Sequence, residues 1–366
     1  MGLAASTLTL DDWRNFGHLE LAVSPGMTIL HGQNAVGKTN VVEALQLLTA
    51  GSSFRRPHAA EFVREGATSA RAALALTGDG RVVDMAVCVA DGRRRFARNG
   101  KKCAAADVPQ TLMSVLFNPD DLSFVKRGAA WRRDELDGFG RQANRGYGRL
   151  SVAYQRAIEQ RNHLLKEDRP DLSMLAAWDA SVAAGGAALL SARLRLFCRL
   201  RGHLVAAYGE IAPGERLTCT YRSSLGAEEE LVGLSRDTLA ERLADALERT
   251  RPESLRRQQT TVGPQRDELA FRIDDRDVRS FGSQGQQRSI VLAWKMAEVR
   301  LAHEIVGQAP LLLLDDVMSE LDARRRETMT RFVQGGVQTV VTTTNLGYFP
   351  QELLTKARVV HVGLSL

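Results

Sequence analysis

Cysteine is scarce in this chain of 366 residues. The four present, Cys88, Cys103, Cys198 and Cys219, sit at spacings that form neither a zinc site nor a redox pair, so they read as reduced structural thiols. Long apolar runs are also missing: none approaches the roughly 20 residues of a membrane span. The opening "MGLAASTLTLDDW" lacks the basic and apolar stretches of a secretion leader. Gly2 invites a myristoyl reading, but nothing basic or acylatable nearby supplies a second anchor. A cytoplasmic chain with no membrane partner is the expectation. There is no internal repeat and no low-complexity tract. Neither sign of charge dominates: 49 Lys and Arg against 43 Asp and Glu leave +6 and a pI near 9.3, an excess that suits a polyanionic partner without specifying one.

What is present divides the chain in three. The first hundred residues alternate short β-rich runs with turns, and Asn99-Gly100 reads as a hairpin turn. From about 121 to 250 the pattern is helical, with Leu150, Tyr154, Ile158 and Leu165 at helical spacing, and it breaks near 213 at "PGERLTCTY". The last hundred residues return to α/β, with a helix carrying Ile290, Trp294, Ala297, Leu301 and Ile305, the bare strand "LLLL" and the strand "TVVTTT". An α/β fold is expected, divided into 1–120 and 258–366 around a helical insertion at 121–257.

The strongest chemical signal is "GQNAVGKT", which follows the strand "MTIL" and precedes the helix "NVVEALQLL". Gly32, Gln33, Asn34, Ala35, Val36, Gly37, Lys38 and Thr39 match the phosphate-binding loop, which needs that strand and helix. Its glycines let backbone amides curl around phosphates, Lys38 neutralises the β/γ oxygens and the Thr39 hydroxyl ligates Mg²⁺. ATP and Mg²⁺ are therefore the expected cofactors. A second element is "LLLLDDV", a continuous apolar run ending in two carboxylates, as in a buried parallel strand whose tip faces the ligand. Asp315 is placed to hold Mg²⁺ and Asp316 to polarise the attacking water, which makes Lys38 and Asp316 the catalytic candidates.

"FGSQGQQRS" holds no His, Cys or carboxylate, yet opens a long helix where an anion would be gripped. Ser283, Gln284, Gly285 and Gln286 also read as a Ser N-cap with Gln at N3, and both readings can hold at once.

A phosphate loop at 32 and an acidic strand at 315, separated by a helical insertion, resemble the ABC-type ATPase heads of the structural-maintenance-of-chromosomes class. Within that class "WRNF", "FNPDDL", "QRNHLL", "GPQRDEL", "SQGQQRS" and "LLLLDDVMSELDARRR" look like the RecF family. The insertion lacks the length and heptads of a coiled-coil arm. The resemblance implies an ABC-type ATPase head with a helical insertion lobe, and a signature, Ser283 to Gln286, that reads the γ-phosphate bound by a second copy. It implies an interface loop at Ser319, Glu320, Leu321 and Asp322, nucleotide sensing at Asn118, Asp120 and Thr343, and Arg14 and Asn15 near the adenine. Asp316 stands where the wider class has glutamate, one methylene longer, so slow hydrolysis is expected. Two positions depart from the family pattern: Gln265 replaces a usual histidine, and "RGAAWRR" lacks a proline.

The implied function is an ATP-dependent homodimeric clamp on gapped, single-stranded or junction DNA, acting with RecR and RecO in recombinase loading, gap repair and the SOS response. From the residues, "DGRRRFARNGKK" offers Arg93, Arg94, Arg95, Arg98, Lys101 and Lys102 on a predicted hairpin for phosphate contacts. Three rivals stay open: a transporter nucleotide-binding subunit, a P-loop kinase, and a non-hydrolysing scaffold that tolerates Asp316→Asn.

Overall fold

The computed structural model describes residues 2–363. The chain forms two units, one holding the residues up to Ser123, Glu210–Ala212 and those from Arg288 on, the other Phe124–Gly209 and Pro213–Gln287.

The first unit contains two sheets. One is antiparallel, six-stranded and built from the first hundred residues, ordered 16–22, 4–13, 69–78, 81–90, 93–98, 101–103. Asn99 and Gly100, with φ of 49° and 74°, close its last hairpin in the left-handed conformation that a two-residue turn requires. The other sheet is parallel, ordered 358–361, 27–31, 339–343, 311–315, 114–117. Its strands Met27–His31, Leu311–Asp315 and Thr339–Thr343 are apolar or threonine-rich along their length because both faces are buried. Parallel pairing brings the ends of 27–31 and 311–315 to one edge, so the phosphate loop and the two aspartates emerge together.

The second unit is helical, with Ala129–Ala143, Arg145–Leu164 and the 40-residue helix Leu172–Ile211, about 60 Å long at 1.5 Å per residue. A small antiparallel sheet pairs Leu217–Arg222 with Glu268–Ile273 and the latter with Arg276–Asp277. This pairing corrects the expected boundary at 257. Residues 258–287 belong to the second unit because Glu268–Ile273 is hydrogen-bonded into its sheet and Glu268 takes both guanidinium arms of Arg132, at 2.8 and 2.7 Å. The signature residues 283–286 therefore fall in that unit as well.

Length and composition alone would let helix 172–211 cross a membrane, contrary to the expectation from short apolar runs. Alanines and glycines dilute its charges, and its apolar side is occupied within the fold: Val182, Leu190, Phe197 and Leu204 are fully buried. Buried Arg193 on the same helix grips Asp137 with both arms, at 3.0 and 2.9 Å, and donates to the Pro264 carbonyl at 2.7 Å.

Candidate functional site

The loop after the strand Met27–His31 is shaped by glycine where no side chain fits. Gly37 has φ 104°, and a Cβ there would lie 2.6 Å from the Asn15 amide. A Cβ on Gly32 would meet the Val362 carbonyl at 2.3 Å. Ala35 also sits at positive φ, 66°. Asn15 fastens the loop, donating to the Val36 carbonyl at 3.1 Å and accepting from Asn40 at 2.7 Å. The helix Lys38–Ala50 starts with no side-chain cap and no acid in its first turn, which leaves its amide end available to an anion. Gln33, Asn34 and Ala35 are exposed at the mouth of the loop.

Lys38 is buried and donates to the carbonyls of Gly32 and Gln33, at 2.8 and 2.6 Å. Burial draws its ammonium below the usual lysine value, with Asp316 and Asp315 pulling the other way. Asp315 Oδ1 accepts from the Thr39 hydroxyl at 3.1 Å and the Thr342 hydroxyl at 2.8 Å. Burial raises its carboxyl above the ordinary range against the pull of Thr342, Thr39, Arg55 and Lys38. Asp316 sits at φ 54°, its amide donating to Thr342 at 2.9 Å. Its Oδ1 is buried without a hydrogen-bond partner. Burial pushes this carboxyl up too, opposed by Lys38 and assisted by Asp315 and Glu320.

The remaining expected residues are distributed as follows. Ser319 donates its hydroxyl to the Asp316 carbonyl at 2.8 Å. The Glu320 carbonyl and carboxylate accept from Arg288, at 2.5 and 3.2 Å, and Leu321 is buried. Asp322 caps the helix Ala323–Gln334 through the Arg325 amide at 2.9 Å, and Arg325 also donates to Ser289 at 3.0 and 2.8 Å. The expected interface loop is thus tied to the helix Gln284–Val306 by two arginines absent from the sequence reading.

Asn118 and Asp121 exchange bonds, Asn118 N to Asp121 Oδ2 at 2.9 Å and Asp121 N to Asn118 Oδ1 at 3.2 Å. Buried Lys295 lies 3.5 Å from Asp121, while Asp120 is exposed. Thr343 turns to Asn345, and its neighbour Thr342 is the residue that reaches the aspartates. Pairing of Asp315 with Thr342 in adjacent parallel strands is the signal that would have selected it. Arg14 is held by buried Glu43, at 3.0 and 2.9 Å, and by the Glu61 carbonyl at 2.7 Å.

In the signature, Ser283 N donates to Gln286 Oε1 at 2.9 Å and Gln286 N to Ser283 Oγ at 3.1 Å, a reciprocal capping box. Gln286 Nε2 donates to Glu215 at 3.1 Å, which fixes the flip of the amide. Capping uses a lone pair of the exposed Ser283 hydroxyl and leaves its O–H as a donor. Gln265 accepts from the Tyr154 hydroxyl and donates to the Val262 carbonyl at 2.8 Å, occupying the histidine position within a local polar network. Where the proline is missing, the helix begins with Ala129 and Ala130 behind Gly128.

The description "RecF/RecN/SMC N terminal domain" matches residues 4–361. The DNA replication and repair protein RecF of Heliobacterium modesticaldum is 36% identical over 362 residues, covering 97% of this chain and 96% of that protein. The chain belongs to the RecF family. RecF of Symbiobacterium thermophilum is 37% identical over 345 residues, covering 93% and 91%. A solved structure of the recombination mediator protein RecF with ATP, in the RecFOR pathway, shares 27% identity at a TM-score of 0.86, covering 95% and 94%. An Smc head with an extended coiled coil from Pyrococcus furiosus, 15% identical at a TM-score of 0.57, shares the fold. This RecF-family chain has the mixed α/β architecture of an ABC-type ATPase head with a helical lobe.

Proposed function

We propose that this chain is an ATP-switched DNA-binding ATPase of replication and repair. The observation that carries the reading is the meeting of Thr39, Asp315 and Thr342 beside buried Lys38 and a second aspartate whose Oδ1 lacks a partner. Gly32 to Thr39 would wrap the nucleotide phosphates, with Lys38 exchanging its loop carbonyls for β/γ oxygens. The glycine cradle and uncapped helix end suit that anion. RecF relatives at similar length, one of them solved with ATP, support the same reading.

Thr39 Oγ1 and Asp315 Oδ1 are hard oxygen donors that suit Mg²⁺ and would hold it. Among the described residues no three His, Cys, Asp or Glu side chains gather into a metal site of their own, so phosphate oxygens and water would complete the shell. Bound there, the ion would supply neutralisation of phosphate charge. Asp316, with its free Oδ1, orients the attacking water and accepts its proton, and its short reach makes turnover slow.

Ser283 to Gln286 of one copy engage the γ-phosphate held at Lys38 of another. Ser283 supplies its O–H, Gly285 lets the backbone approach, and the helix start supplies a positive end. Ser319 to Asp322 cross the same interface. Asn118, Asp120 and Thr343 sense the nucleotide, and Arg14 and Asn15 lie toward the adenine. The closed dimer clamps gapped or single-stranded DNA in the cytoplasm and works with RecO and RecR, the pathway named for its solved relatives.

Direct hydrolysis assays on wild type, Lys38→Ala and Asp316→Asn, with and without gapped duplex, test this. Wild type should turn over slowly and faster with DNA, Lys38→Ala should lose ATP binding, and Asp316→Asn should bind ATP but hydrolyse it roughly 100-fold more slowly. Asp316→Asn turning over at the wild-type rate would remove Asp316 as the base, and a wild type with no turnover above background would return the scaffold reading.

A further inference from the structure

One cavity of about 750 Å³ belongs to neither the phosphate loop nor the signature, and all of its lining comes from the first unit. Its floor is apolar, made by Met296 and Val299 of the helix Gln284–Val306, Phe332 of the helix Ala323–Gln334, and Val337. Its rim is cationic. Arg300 lies over the Phe332 ring, 5.6 Å from the centroid, and is anchored to Glu210 at 2.8 Å. Arg331 and His303 add exposed basic groups beside it. Against the two arginines stands one acid, Glu210, already paired with Arg300, which leaves the Arg331 charge uncompensated within the lining.

Position excludes the nucleotide. Ala309 precedes the strand Leu311–Asp315, and Gly335 to Val337 precede Thr339–Thr343. The cavity therefore opens at the N-terminal edge of the parallel sheet, opposite the edge that carries Gly32 and Asp315. Small ligands of such sheets bind at the C-terminal edge, whereas an apolar floor with a charged rim is the composition of a peptide-docking groove. Arg331 also occupies the last turn of its helix, where its charge offsets the negative carbonyl end.

We propose that this groove docks an acidic segment of a partner protein, one apolar side chain on the Met296, Val299 and Phe332 floor and flanking carboxylates on Arg331 and Arg300. Charge complementarity selects this occupant, because a basic segment would meet two arginines. The proposal stands apart from the nucleotide reading.

A random dodecamer peptide library selected on the full-length protein tests it. Recovered sequences should place a large apolar residue among Asp and Glu. Their affinity should fall about tenfold for Arg331→Glu, the loss of one interfacial charge pair. Binding should vanish for Ala309→Trp, which fills the cavity. Thermal melts and retained ATP binding report whether the variants fold, and Arg331→Glu, an exposed change, carries the test should Ala309→Trp misfold. The proposal is overturned if no peptides are recovered, if they are basic or uncharged, or if Arg331→Glu leaves their affinity unchanged. Self-association without nucleotide that Ala309→Trp abolishes would also overturn it, assigning the groove to a second copy.

Discussion

Two carboxylates, one lysine and two threonines carry the proposed chemistry at the smallest scale. Asp315 and Asp316 are both raised by burial, so each pays to remain ionised unless a cation joins it. Asp315→Asn keeps an acceptor for Thr39 and Thr342 but removes that cost. The nucleotide-free protein should melt roughly 2 °C or more higher, while the further rise that Mg·ATP gives wild type should disappear. Scanning calorimetry with and without nucleotide checks both halves, and an unchanged Mg·ATP shift would remove Asp315 from the ion site. Gly37→Ala tests the cradle. Its φ of 104° and the Asn15 contact predict a loss of about 1 kcal/mol or more, together with ATP binding, read by melting and nucleotide titration. The phosphate loop and the aspartate pair were legible in the sequence because their chemistry is local: glycines, a lysine and an apolar run ending in acids. Thr342 was harder to select over Thr343, since adjacent threonines on one strand differ only in which face of the sheet they project from.

Among the elements, the interface loop and the basic hairpin make separate predictions. Asp322 caps its helix, and the Arg325 amide is the main cause of its depressed carboxyl pKa, assisted by the Arg325 and Arg326 charges. A depressed folded value stabilises above the unfolded one, near 3.8, and that stabilisation fades as pH falls through the folded value. Asp322→Ala should therefore cost about 1 kcal/mol at neutral pH and progressively less below about pH 4, measured by urea melts across pH. A cost that persists undiminished in acid would assign the effect to packing. In the hairpin, strand alternation separates six cations into two sets. Arg94 shares a face with buried Phe96 and lies over Phe62, and Arg98 pairs in register with Lys101, whereas Arg93, Arg95 and Lys102 share the other face. Replacing those three by Ala should flatten the salt dependence of DNA binding by roughly one unit of slope per lost phosphate contact. An unchanged slope would move the DNA path off the hairpin. Sequence alone gave the hairpin and its turn but not this division, which depends on register. It also missed the arginine ties from Arg288 and Arg325, because residues 32 to 36 positions apart meet only through tertiary packing.

At the scale of the molecule, the two halves of the proposed nucleotide machinery fall in different units. The phosphate loop and aspartates belong to the first, Ser283 to Gln286 to the second. The α/β class and the helical insertion were readable from hydrophobic period. The boundary at 287 was not, because Glu268–Ile273 reads as a strand without revealing which sheet it joins. The 40-residue helix falls where the helical pattern was read, and only its full length was hard to see, because its alanines and glycines thin the apolar pattern. The central claim is that the signature of one copy completes the ATP site of another. Its most direct test is the solution mass, by light scattering after chromatography, of wild type, Lys38→Ala and Ser283→Arg with and without Mg·ATP. Wild type should become a dimer with Mg·ATP, Lys38→Ala should stay monomeric because it fails to bind nucleotide, and Ser283→Arg should bind ATP yet stay monomeric. A Ser283→Arg protein that dimerises like wild type would leave Ser283 to Gln286 as a helix cap alone and contradict the shared site.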